Sequence, residues 1–142
     1  GSIVDVGILM NLHRRMLRNV WKWAGKVRQT DRNIGVSPHR IEVDLHQLID
    51  DVRYWVENKT FDPDEIALRF HHRLVAIHPF PNGNGRHARL AADALAVELG
   101  ASRFTWGSAN LVEAAETRKA YVCALQAADA HDMGPLLKFG RS

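Results

Sequence analysis

An apolar stripe of helical spacing that stops abruptly at residue 78 restricts the fold of this chain more than any other feature. The stripe follows Asp62-Pro63-Asp64-Glu65, which has the capping residue, proline and acidic residues typical of a helix start. Pro79 and Pro81 cannot continue a helix. A second helical pattern begins at Asn84-Gly85 and stops at Gly100. The sequence therefore predicts two helices joined by a short, glycine-rich loop, the first of them lined by Ile66, Phe70, Leu74 and Ile77.

The rest of the chain predicts an all-α fold. Residues 111–128 read as a helix with Leu111, Val112 and Val122 inward, and shorter helices are expected at both ends. Residues 26–43 lack a helical stripe and contain Gly35 and Pro38, so we expect a β-hairpin or flap there, with a plain connector as the alternative. A long amphipathic helix is predicted from the stripe Leu45, Leu48, Ile49, Val52, Trp55 and Val56.

Composition sets the class of protein. A chain of 142 residues with 25% charged and 46% hydrophobic residues is one globular domain. The net charge of +3 is weak evidence for nucleic-acid binding, and no apolar run approaches the roughly 18 residues of a membrane span. Cys123 is the single cysteine, which is compatible with a cytoplasmic location. Gly1-Ser2 looks like a remnant of cloning, so we expect one domain over residues 3–142 and a natural N terminus further upstream.

The run of residues 78–89 concentrates the chemistry of the chain. A glycine-rich turn at the start of a helix offers unpaired N–H groups to an anion. Two arginines three residues apart share a helix face and can grip phosphate oxygens, while an imidazole near neutral pH can accept a proton. The alternative is an ordinary turn between helices with solvated arginines and a structural histidine. The candidate residues are His78 as a general base and Gly83, Asn84, Gly85, Arg86 and Arg89 as a phosphate cradle.

The run resembles the signature of the Fic family, His-x-Phe-x-(Asp/Glu)-Gly-Asn-Gly-Arg-x-x-Arg. Two further segments, 21–25 followed by 33–35, and 104–108, resemble a bacterial Fic branch labelled mobile mystery protein B. The likeness extends over nearly the whole chain. The signature positions that match are His78, Phe80, Gly83, Asn84, Gly85, Arg86 and Arg89.

This resemblance implies a Fic fold, a helical bundle with a small β-hairpin flap, and transfer of AMP from ATP to a Ser, Thr or Tyr of a target protein. His78 would be the general base, and the cradle would bind the nucleotide phosphates. Gly85-Arg86, in place of the Lys-Arg of the Doc branch, favours transfer of AMP over transfer of the terminal phosphoryl group. Asn33, Ile34 and Gly35 would dock the target as an added strand. Tyr121 resembles a family aromatic that lies near the adenine, and the alternative is a core aromatic of an amphipathic helix.

Two departures from the family qualify this expectation. Asn82 stands where the family has an acidic ligand for Mg²⁺, which prefers anionic oxygens. We therefore expect weakened AMP transfer, and the alternatives are a different donor or a Fic-like module that binds nucleotide or a partner without turnover. The inhibitory Ser/Thr-x-x-x-Glu-Gly/Asn pattern of many Fic proteins is missing, so an antitoxin-like partner would supply it unless it lies upstream.

Overall fold

The computed structural model describes residues 1–142 and consists of six α-helices joined by loops, with no β-strand. The all-α prediction is confirmed. None of the six helices combines the length and the apolar character that a membrane span requires. The helices are α1 (Val6–Leu17), α2 (Pro38–Asn58), α3 (Pro63–Ile77), α4 (Asn84–Glu98), α5 (Ala114–Asp129) and α6 (Gly134–Gly140).

Helix α3 forms the centre of the fold. It packs against α2, α4 and α6, whereas α1 lies on α2 and α4, and α5 lies on α6. Seven of its fifteen residues are buried, including Phe70 and Leu74, so α3 is held from several sides. It begins after Asp62 as predicted, and α4 begins at Asn84 as predicted. The core therefore fixes both helices that flank the run of residues 78–89.

Two predicted helix boundaries were wrong. Helix α2 begins at Pro38, inside the range expected to be a hairpin, because Ile41 extends the buried stripe that continues at Leu45. Helix α5 begins at Ala114, so Leu111 and Val112 precede it and lie exposed. Small residues of α5, Ala124 and Ala128, make its buried contacts instead of Val122.

The segment 26–37, which we call the flap segment, contains no hairpin. Its backbone groups bond to the end of α3 instead of to one another: the Arg28 amide donates to the Pro79 carbonyl (3.0 Å) and the Val36 amide donates to the Ile77 carbonyl (3.3 Å). A β-ladder would need those same groups. The predicted β-hairpin flap is thus replaced by an extended loop that lies across the end of α3.

Candidate active site

The first element of the site is the C-terminal end of α3, where His78 is the capping residue. Its backbone is left-handed, with φ at 53°, and its amide donates to the Leu74 carbonyl. This conformation is uncommon for a residue with a side chain. It turns the chain out of the helix into Pro79 and the buried Phe80. His78 itself is half-buried at the edge of the loop.

Asn84 ties the loop to itself. Its Oδ1 accepts from the Phe80 amide (2.9 Å) and its Nδ2 donates to the Phe80 carbonyl (2.7 Å), all within the protein interior. The side chain therefore does not cap α4, and neither does Gly83 at the capping position. The first-turn amides of α4 are left without an intrahelical or side-chain acceptor, at the positive end of the helix dipole. This is the geometry of an anion-binding turn.

His13 of α1 packs against the loop between α3 and α4. The Gly25 amide donates to His13 Nδ1 (2.9 Å), so the ring proton is on Nε2, which donates to the Asn82 carbonyl (2.9 Å). The imidazole also stacks on Phe80, with ring centroids 3.6 Å apart. Burial lowers the pKa of His13, which keeps the ring neutral. A Cβ at Gly83, whose φ is +78°, would lie 2.6 Å from a methyl carbon of Leu17, so this position needs glycine.

Two arginines project from the first turns of α4. Arg86 is exposed and Arg89 is half-buried, and neither forms an ion pair with a carboxylate of the chain. A Cβ on Gly85 would lie 3.5 Å from Arg89 Nη1, which places that guanidinium over the first turn of α4. The residues of the predicted cradle thus lie together at the start of α4, and neither arginine is neutralised by a carboxylate. Phosphate binding by these residues stays a prediction.

Tyr121 lies beside Arg89, with the guanidinium carbon 5.6 Å from the centre of its ring. Its hydroxyl is hydrogen-bonded to Nε2 of the buried His71 (2.7 Å), and its ring packs against Phe139. The structure therefore places Tyr121 where it supports Arg89. Contact of Tyr121 with an adenine stays a prediction.

The electrostatic surroundings of His78 favour its neutral form. Burial lowers the pKa of His78, and the nearby cations of Arg28 and Arg32 lower it further. The imidazole is therefore uncharged near neutral pH, the state that a general base needs.

The predicted docking residues, Asn33, Ile34 and Gly35, are exposed in the flap segment. None of the chain's backbone hydrogen bonds involves these three residues, so their amides and carbonyls are open. Gly35, with φ at +92°, approaches His78 so closely that a Cβ would lie 2.6 Å from that of His78. A groove of about 450 Å³ runs from Ile34 and Gly35 between α3 and α5, with apolar walls from Val75 and Leu125.

The predicted metal ligand, Asn82, is exposed, and its backbone carbonyl already accepts from His13. No group of three or more His, Cys, Asp or Glu side chains is placed to hold a metal ion. The residues present do not fit a Mg²⁺ centre that the protein holds by itself, because only one neutral amide oxygen is available. Any Mg²⁺ here would come with the nucleotide.

Sequence reasoning missed two residues that support the site. His13 stands in a basic stretch with Arg14, Arg15 and Arg18, which is typical of a solvated helix face, yet it is fully buried. His13 is four residues from both Leu9 and Leu17, which puts it on the buried stripe of α1. This spacing was the sequence signal for its burial. Arg28 is buried also, and nothing about a single arginine in a polar loop indicated it.

The fold and the site together define the class of protein. It is a helical domain in which an uncapped anion-binding turn lies beside a neutral histidine. A family model described as the Fic/DOC family matches residues 3–96, and the chain belongs to that family. The chain is 30% identical over 144 residues to protein adenylyltransferase fic-1 of Caenorhabditis elegans, and 32% identical over 140 residues to the Caenorhabditis briggsae protein of the same name. Each match covers 96% of this chain and 26% of the relative.

A solved structure of Fic-1 (residues 134–508) from C. elegans superimposes with a TM-score of 0.79 at 28% identity, covering 99% of this chain and 42% of that one. The Fic fold is therefore confirmed. The chain spans about a quarter of the length of these curated relatives. Both relatives are animal proteins, so the bacterial branch suggested by the sequence stays a prediction.

Proposed function

We propose that this domain is a protein adenylyltransferase that moves AMP from ATP to a Ser, Thr or Tyr hydroxyl of a target protein. The observation that carries the proposal is the uncapped N terminus of α4, with Arg86 and Arg89 unpaired, next to His78 at the end of α3. The names of the two Caenorhabditis relatives support the same activity.

The chemistry follows from these groups. The α4 amides and the two arginines bind the triphosphate, and His78 accepts the proton of the target hydroxyl as its oxygen attacks the α-phosphorus. A new phosphorus–oxygen bond to the target forms while the bond from the α-phosphorus to the α,β-bridging oxygen breaks. Pyrophosphate leaves, and the imidazole carries the proton. Positioning and neutralisation of charge supply most of the catalysis.

The nucleotide base and the target have separate places in this proposal. Tyr121 would border the base from beside Arg89. The open backbone of Asn33, Ile34 and Gly35 suits a target segment that adds as a strand.

Regulation and location are part of the same proposal. No carboxylate of this chain pairs with Arg89, which leaves its guanidinium available to a glutamate of an antitoxin-like inhibitory partner. We place the activity in the cytoplasm, where ATP is plentiful and the exposed, unpaired Cys123 would stay reduced.

A second candidate function rests on Asn82. With an exposed amide in place of an acidic ligand, the domain would bind nucleotide through α4 without turning it over. Incubation of the protein and cell lysate with ATP labelled at the α-phosphate separates the two functions. Label on protein that disappears with His78→Ala supports transfer. Nucleotide binding without labelled protein supports the binding module.

A further inference from the structure

Arg28 in the flap segment is a buried cation without a counter-ion. Only 2% of the residue is exposed, and it forms no ion pair with any carboxylate. Burial of a charge is costly unless hydrogen bonds compensate it. Hydrogen bonds must therefore compensate the burial of the Arg28 charge.

Backbone carbonyls supply the compensation. Nε donates to the His78 carbonyl (2.6 Å), Nη1 to Thr30 (2.8 Å), and Nη2 to Ile77 (3.3 Å) and to Val36. The carbonyls of Ile77 and His78 belong to the C-terminal end of α3, where the helix dipole is negative. One planar guanidinium thus joins the end of α3 to both halves of the flap segment.

Two backbone hydrogen bonds also join the flap segment to the end of α3 and the loop that follows it. The amide of Arg28 donates to the Pro79 carbonyl, and the amide of Val36 donates to the Ile77 carbonyl. These acceptors are the residues on each side of His78. Since a left-handed backbone is strained for a residue with a side chain, the surroundings of His78 must hold it in place.

We propose that Arg28 is a positioning residue that fixes the backbone of His78 and the docking edge of Asn33, Ile34 and Gly35 as one unit. The inference rests on the proposed function for its catalytic consequence. A lysine would keep the charge but, as a compact point charge, would not span the same four carbonyls. We expect nucleotide binding at the α4 turn to be independent of Arg28, because none of the hydrogen bonds of its side chain reaches that helix.

The test compares Arg28→Lys with Arg53→Lys. Arg53 is a matched control because its guanidinium donates to a backbone carbonyl, that of Val4, away from the site. For each variant we would measure kcat for AMP transfer, the Kd for ATP, the melting temperature, and hydrogen exchange at the Val36 amide. Arg28→Lys is expected to lower kcat and the exchange protection of Val36 by about tenfold or more, with the Kd for ATP within about twofold. Arg53→Lys is expected to change none of them.

Wild-type protection at Val36 together with wild-type kcat in Arg28→Lys would overturn the proposal. An equal loss of ATP affinity, kcat and melting temperature would also overturn it, because that pattern belongs to general destabilisation. If the wild type transfers no AMP, the proposed function fails, and exchange at Val36 still decides whether Arg28 holds the flap segment.

Discussion

Among single side chains, Asn84 has the clearest effect on the anion-binding turn. Asparagine is a favoured helix cap, yet here the side chain turns back to both backbone groups of Phe80. The loop gains rigidity, and the first amides of α4 remain available to a ligand. The α4 amides are therefore open to an anion because the Asn84 side chain bonds to Phe80 and not to them.

In the proposed reaction, the protonation state of His78 would set the pH dependence of transfer. Burial and the cations of Arg28 and Arg32 lower its pKa, so the neutral base persists below pH 6.5. We expect kcat/KM to be level near neutrality and to fall with a midpoint below pH 6.5. Arg32→Gln removes one cation and should move that midpoint upward. A wild-type midpoint above 6.5, or a downward move in the variant, would contradict this assignment.

In the proposed reaction, Asn82 would determine how strongly Mg²⁺ is held with the nucleotide. Asn82→Asp adds an anionic oxygen at an exposed position beside the α4 turn, so the Mg²⁺ concentration for half-maximal transfer should fall about tenfold. The measurement is a Mg²⁺ titration at saturating ATP, with Asn58→Asp on the exposed end of α2 as the control. An unchanged Mg²⁺ dependence would mean that residue 82 is not the metal position.

Among the helices and loops, the starts of α3 and α4 were predictable, whereas the start of α2 at Pro38 and the irregular parts were not. Pro63 and Gly83 fix the starts of α3 and α4 through local backbone geometry. The flap segment is organised by Arg28 and the end of α3, contacts about fifty residues apart in the chain. Local pattern carries no information about such contacts, which is why a hairpin was expected there. The motif residues were found because they are contiguous.

The contact between α1 and the loop offers a test of packing. His13→Phe keeps the stacking on Phe80 but leaves the Gly25 amide and the Asn82 carbonyl without their partner. We expect the free energy of unfolding to fall by about 1–3 kcal/mol, measured by urea denaturation. The same change at His39, which is exposed on α2, should cost less than about 0.5 kcal/mol. An equal change in the free energy of unfolding at the two positions would show that His13 does not support the loop.

At the scale of the whole molecule, two buried histidines, His71 and His87, make stability depend on pH. Burial lowers the pKa of His71 and of His87 to about 4, whereas the unfolded chain titrates near 6.5. The unfolded state therefore binds more protons between these values, and stability falls as the pH drops from 6.5 toward 4. Each histidine contributes on the order of 3 kcal/mol to this loss.

His87→Gln tests that dependence. His87 Nε2 donates to the Leu9 carbonyl (2.8 Å), and a glutamine amide can donate the same bond without titrating. We expect the variant to lose less stability than the wild type between pH 7 and about pH 4.5, measured by urea denaturation at both values. An identical loss in both proteins would show that His87 is not one of the groups responsible.

The most direct measurement follows both products of AMP transfer in one reaction. ATP labelled separately at the α- and γ-phosphates is incubated with the protein and its target, and label on protein is compared with label in pyrophosphate. We predict one α-label on protein for each pyrophosphate released, no γ-label on protein, and loss of both signals in His78→Ala. Label on protein from the γ-phosphate, or transfer that persists in His78→Ala, would contradict the role assigned to His78 and the α4 turn.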